Sequence, residues 1–132
     1  MRIIKFRAWD KQAGMMFSIF DSAGEDWFLP KWKERYDVMQ FTGLKDCKRT
    51  EGYPDGQEVY ESDLCEKDGK IYQVVWVNDC AKWGLKVIKT PSVLARNMTF
   101  PLQQYIYEGT AGTNFEVIGN SFEHPELMGG KG

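Results

Sequence analysis

Four residues, Lys67-Asp68-Gly69-Lys70, constrain the fold of this chain more than any others. Asp-Gly between two apolar runs is the strongest short hairpin signal a sequence can carry. Both central residues of a type I′ turn need positive φ, which these two residues tolerate. The turn joins "DLCE" at 63–66 to "IYQVVWV" at 71–77. A second turn, "NDCAKW", leads on to "WGLKVI". Residues 61–89 therefore read as a three-stranded antiparallel meander.

The same alternation recurs elsewhere. In "IIKFRAWD", Ile4, Phe6 and Ala8 point one way and Lys5, Arg7 and Trp9 the other, as in a strand with one core face. "DKQAG" supplies a turn through Gly14, and "MMFSIF" a partner strand. "PKWKERY" fits one helical turn from Pro30, and "YDVMQFTG" a strand ending at Gly43. Gly52, Pro54, Asp55 and Gly56 mark a loop. "QEVYESD" is a short strand or a turn back to the sheet, and the run Val59 to Glu66 reads as a charged edge strand. "PSVLARNM" fits a short helix capped by Thr90 with Pro91 at its first position. "LQQYIYE" fits strand or helix, "TAGTN" is a turn, and "FEVIGNSF" is a final strand. Pro125 is expected to end regular structure, with a disordered tail at 128–132.

Short strands punctuated by Gly and Pro imply a mainly β fold: a small SH3-like, partly closed barrel of short antiparallel strands with minor helical insertions. Aromatics make up 14% of the chain, which suits strands and tight barrels. At 132 residues one domain is expected, with N-terminal strands over 1–46 and a barrel-like part over 58–127. No apolar run resembles a signal-peptide core or a membrane span, so a cytoplasmic, membrane-free protein is expected.

Little in the sequence looks catalytic. Neither G-x-x-x-x-G-K-[ST] nor G-x-G-x-x-G occurs. His124 is the one histidine; beside Pro125 near the chain end, it reads as exposed and is a poor general base. Cys47, Cys65 and Cys80 are widely spaced, with no Cys-x-x-Cys, which argues against zinc and for reduced thiols. No catalytic residue and no cofactor is assigned.

Three groups are candidates for binding, one acidic and two basic. In an extended run Glu61, Asp63 and Cys65 share a face, and two acids at i and i+2 can hold a hard divalent ion. A solvated strand edge explains them as well. On the outer face of the first strand, Lys5, Arg7, Trp9 and Lys11 interleave cations with an aromatic, as single-stranded nucleic-acid binders do. Trp9 can equally be covered, or form a cation–π pair with Arg7. A second group, Lys82, Trp83, Lys86 and Lys89, is split, because Trp83 and Lys86 fall on opposite faces of a strand. The net charge of −2 argues against a bulk polyanion binder but allows a local basic patch.

Four segments in order, "IKFRAWD", "VMQFTGLKD", "VYESDLCEKDGKIYQVVW" and "FEVIGNSFEHPEL", resemble the YopX family of bacteriophage and prophage proteins over nearly the whole chain. The resemblance implies a mainly β fold and a phage or prophage origin. It brings no established activity and no catalytic residues. Family members read "TGLKD", a short Gly turn, then "YEGD". Here the turn is lengthened to "CKRTEGYPDGQEV", and Ser62 replaces the Gly. Ser is disfavoured at positive φ, which argues against that backbone here. Phe6, Trp9, Gly43, Tyr60, Gly69, Gly119 and Asn120 are read as fold-specifying: core for Phe6 and Trp9, a turn for Gly43, a bulge or close approach for Gly119, a turn hydrogen bond for Asn120.

The functional expectation is a non-enzymatic binding module, self-associating or engaging a phage or host protein. The second reading is a single-stranded nucleic-acid binder. A metal-dependent enzyme using Glu61 and Asp63 comes last.

Overall fold

The computed structural model describes residues 5–18, 32–79, 81–90, 97–106 and 112–128. The chain divides into two compact units between Phe41 and Thr42. The described residues are mainly β, and the strand pairs whose register is defined run antiparallel, beside one isolated parallel bridge between Lys45 and Gly112. None of their helices is long and apolar enough to cross a membrane.

In the first unit, β1 (Phe6–Asp10) pairs with β2 (Met15–Ser18) across a turn in which Gly14 takes φ +66. One helical turn, α1 (Trp32–Arg35), leads into β3 (Tyr36–Lys45), which pairs with the other side of β1. Ala8 and Tyr36 are buried here, with Phe6, Phe17 and Val38 packed on them. Phe17 meets Tyr36 edge-on at 5.6 Å. β3 runs two residues beyond Gly43, so Gly43 (φ +90) lies within a strand and not at its end.

β3 continues into the second unit, where β4 (Glu58–Tyr60) lies beside it. The second unit is built on a five-stranded sheet in the order β8-β7-β6-β5-β9. Its strands are β5 (Asp63–Lys67), β6 (Lys70–Val77), β7 (Lys82–Lys89), β8 (Thr99–Pro101) and β9 (Glu116–Asn120). The Asp68-Gly69 turn forms as its chemistry requires, with φ of 52° and 79°. Tyr72, Val74 and Trp76 alternate along β6 opposite Val87, Leu85 and Trp83. That face carries the core: Val59, Cys65, Tyr72, Val74, Leu85, Val87, Leu102 and Phe115 are all buried. Each such side chain contributes about 1.5–3 kcal/mol of burial.

Several expectations change. The run Val59 to Glu66 is not one strand: it breaks at Glu61-Ser62, where Ser62 takes φ +72. The Ser62 amide donates to the Val74 carbonyl (2.8 Å) and its carbonyl accepts from Ser121 N (3.0 Å), so tertiary bonds hold the unfavourable φ. β5 is not an edge strand, since it sits between β6 and β9. Pro125 does not end regular structure: it opens a 3₁₀ turn, Pro125–Met128. "LQQYIYE" opens with another 3₁₀ turn, Leu102–Tyr105. Pro30, Cys80, the helix expected from Pro91 and the tail beyond Met128 lie outside the described residues.

Candidate functional site

The acids of the opening meander do not converge. Because the chain turns at Glu61-Ser62, Glu61 and Asp63 are not two positions on one strand face. Asp63 is buried, and its Oδ2 accepts the Tyr60 amide at 2.7 Å, closing that turn. Tyr60 is half-buried, its hydroxyl 3.4 Å from Glu58 Oε1. Among the described residues no three His, Cys, Asp or Glu side chains are grouped to hold a metal ion. Burial pushes the Cys65 thiol well above its ordinary range, and raises that of Cys47 as well.

The cationic face of β1 is largely engaged. Lys5 Nζ lies over the Phe41 ring at 5.1 Å, and Lys11 pairs with Asp37 at 3.5 Å. Arg7 and Trp9 are half-buried on a strand paired on both sides, with Trp9 opposite Met16 and Asp37. At the end of β1, Asp10 accepts the amides of Gln12 and Ala13 and both nitrogens of an Arg35 fork. The Arg35 hydrogen bonds, ahead of the two amides, hold its carboxyl down at about 2.

Two buried polar residues organise the second unit, and only one is conspicuous in the sequence. Asn120 accepts the amides of Phe122 and Glu123 on Oδ1, and its Nδ2 donates to Glu123 Oε1. His124 Nδ1 accepts the Asn120 amide at 3.2 Å. The imidazole lies on Gly119, where a Cβ would sit 2.5 Å from Nδ1. His124 is thus half-buried, contrary to its place near the chain end, and Gly119 makes the close approach expected of it.

Asp46 is the residue sequence reasoning missed. It is buried, with Oδ1 accepting Gln57 N at 2.8 Å and Oδ2 accepting Val117 N at 2.9 Å. Its own backbone binds Gln57 and Arg49. It closes the long loop and anchors the outer edge of β9. Gly56 (φ +96) lies so close that a Cβ would be 2.3 Å from the Asp46 carbonyl. Nothing local in "GLKDCKR" marks this acid, because its second ligand is 71 residues away.

Trp76 is 42% exposed, where the core face of β6 and β7 runs out. Trp83 packs against it edge-on, centroids 5.1 Å apart at 74°. Beside them Tyr72, Tyr105 and Phe115 form an aromatic row, and burial, with Tyr105 adding to it, pushes the Tyr72 hydroxyl up to about 12.

No curated protein matches the chain. Among solved structures, the crystal structure of protein EF1440 from Enterococcus faecalis matches with a TM-score of 0.55 at 20% identity, covering 97% of this chain and 99% of that one. At that identity the likeness is one of fold. The family model described as YopX protein matches residues 5–129. The chain belongs to the YopX family.

Proposed function

We propose that this protein is a non-enzymatic interaction module, of bacteriophage or prophage origin and acting in the bacterial cytoplasm, that associates with a second copy of itself. The observation that carries this reading is the Trp76–Trp83 pair. A large ring 42% exposed and held by a neighbouring ring is a pre-positioned anchor. Aromatic side chains are enriched in interface cores. The non-enzymatic reading draws support from the buried acids. Asp10, Asp46 and Asp63 all accept backbone amides, and Asp10 an arginine as well. The strand order β8-β7-β6-β5-β9, with a 3₁₀ turn between β8 and β9, supports an SH3-like second unit.

Nucleic-acid binding through Lys5, Arg7, Trp9 and Lys11 has less support, since Lys5 and Lys11 already have partners. A phage or host protein docking on Trp76 is the other partner this surface fits.

Light scattering from micromolar to millimolar concentration tests self-association. The wild-type mass is expected to climb above the monomer, while Trp76→Ser stays monomeric over the same range. A wild-type protein that is monomeric throughout overturns the self-association.

A further inference from the structure

We propose that the outer face of the β6–β7 hairpin binds single-stranded nucleic acid through a row of three lysines, Lys82, Lys86 and Lys89. This deepens the binding-module reading and rests on it, but uses the face opposite the Trp76–Trp83 pair.

By strand periodicity alone Lys89 would be out of line, because 86 and 89 differ by an odd number. The register between β6 and β7 shifts between Ile71 and Tyr72: Tyr72 faces Val87, but Ile71 faces Lys89. Ile88 is therefore the extra residue of a bulge, and Lys89 returns to the face of its predecessors. Lys82 faces Val77, Lys86 faces Gln73 and Lys89 faces Ile71. Positions 71, 73 and 77 share one side of β6, so the three lysines share it too. The row spans about 20 Å at strand rise.

Lys82 and Lys89 are exposed and Lys86 half-exposed. Among the described residues none of the three makes an ion pair, which is also true of Lys45, Arg49 and Lys70, whereas Lys11, Arg35, Lys48 and Lys67 do. Residues 70–89 hold four lysines against one aspartate in a chain of net charge −2. The acids on this face are Glu66 on β5, opposite Ile71, and Glu116 on β9, opposite Glu66, both toward the Lys89 end. Lys82 and Lys86 are thus the strongest pair.

The occupant follows from what lies between the cations. Ile71, Val75 and Val77 are half-exposed on the same side, with Gln73 among them, and Gly84 is buried there against the Thr99 and Val77 side chains. An extended row of positive charge over an apolar floor matches a chain of phosphates with unpaired bases. A duplex offers phosphates outside and buries its bases, leaving that floor unused.

The test is fluorescence anisotropy with a labelled oligothymidylate at low and moderate salt. Three phosphate contacts give a log–log salt slope of about −2, or roughly a 20-fold loss between 50 and 200 mM. Lys82→Gln/Lys86→Gln is expected to abolish most binding and flatten the slope to about −0.7. Lys82→Arg/Lys86→Arg should retain both. The row is refuted by no binding at low salt, or by binding that the Gln pair leaves unchanged. Tighter binding of a duplex of equal length, or of anionic phospholipid vesicles, also refutes it in favour of those partners. Light scattering separates the two readings: a protein that self-associates but ignores the oligonucleotide loses only this inference, and one that does neither loses both.

Discussion

Replacing Asp46 with alanine should cost the second unit about 2–4 kcal/mol. The side chain is 1% exposed and accepts two amides, Gln57 N at 2.8 Å and Val117 N at 2.9 Å. Removing the carboxylate leaves both donors without an acceptor, each at about 1–3 kcal/mol. Relief of the buried charge offsets part of that sum. With a urea m-value of about 2 kcal/mol/M, the midpoint falls by about 1–2 M. Asp46→Asn keeps one carbonyl acceptor but turns an NH₂ group on the other donor, so it should fall between wild type and Ala. Hydrogen exchange gives the residue-specific reading: the Gln57 and Val117 amides, 60 residues apart in sequence, should lose protection together. A midpoint shift worth less than about 1 kcal/mol, with Val117 still protected, would refute the argument that one carboxylate ties the loop to β9.

Three further outcomes follow from the same structure. Gly119→Ala places a methyl 2.5 Å from His124 Nδ1 and should destabilise by about 1–3 kcal/mol; in a His124→Ala background the cost should largely vanish, and equal costs in both backgrounds would show that the ring is not the cause. Ser62→Gly removes a side chain from φ +72 and should raise the melting temperature by a few degrees, about 0.5–1 kcal/mol, whereas a drop would mean that the Ser side chain contributes more than its strain costs. Asp10 is held at about 2 in the folded protein against 3.8 ordinarily, a lowered acid, so its contribution is complete above about pH 4 and lost as pH falls toward 2. Asp10→Asn should therefore flatten the fall of melting temperature across that window, and an unchanged slope would exclude Asp10 as a source of acid sensitivity.

Local chemistry is what the sequence by itself determined. The Asp68-Gly69 hairpin, the Gly14 turn, the helical turn before Tyr36 and the final strand at 116–120 each depend on neighbours within a few residues. Asn120 was legible for the same reason, because its bonds reach only two and three residues on. Tertiary structure decided whatever depends on distant partners. Ser62 adopts a backbone its side chain disfavours because Val74 and Ser121 hold it. That turn splits the acidic run and moves Asp63 from a solvated edge to the interior. Asp46 is unremarkable until Val117 folds over it. Lys89 joins Lys82 and Lys86 because the ladder slips by one residue at Ile88, and register is a property of two strands, which one strand's pattern does not record.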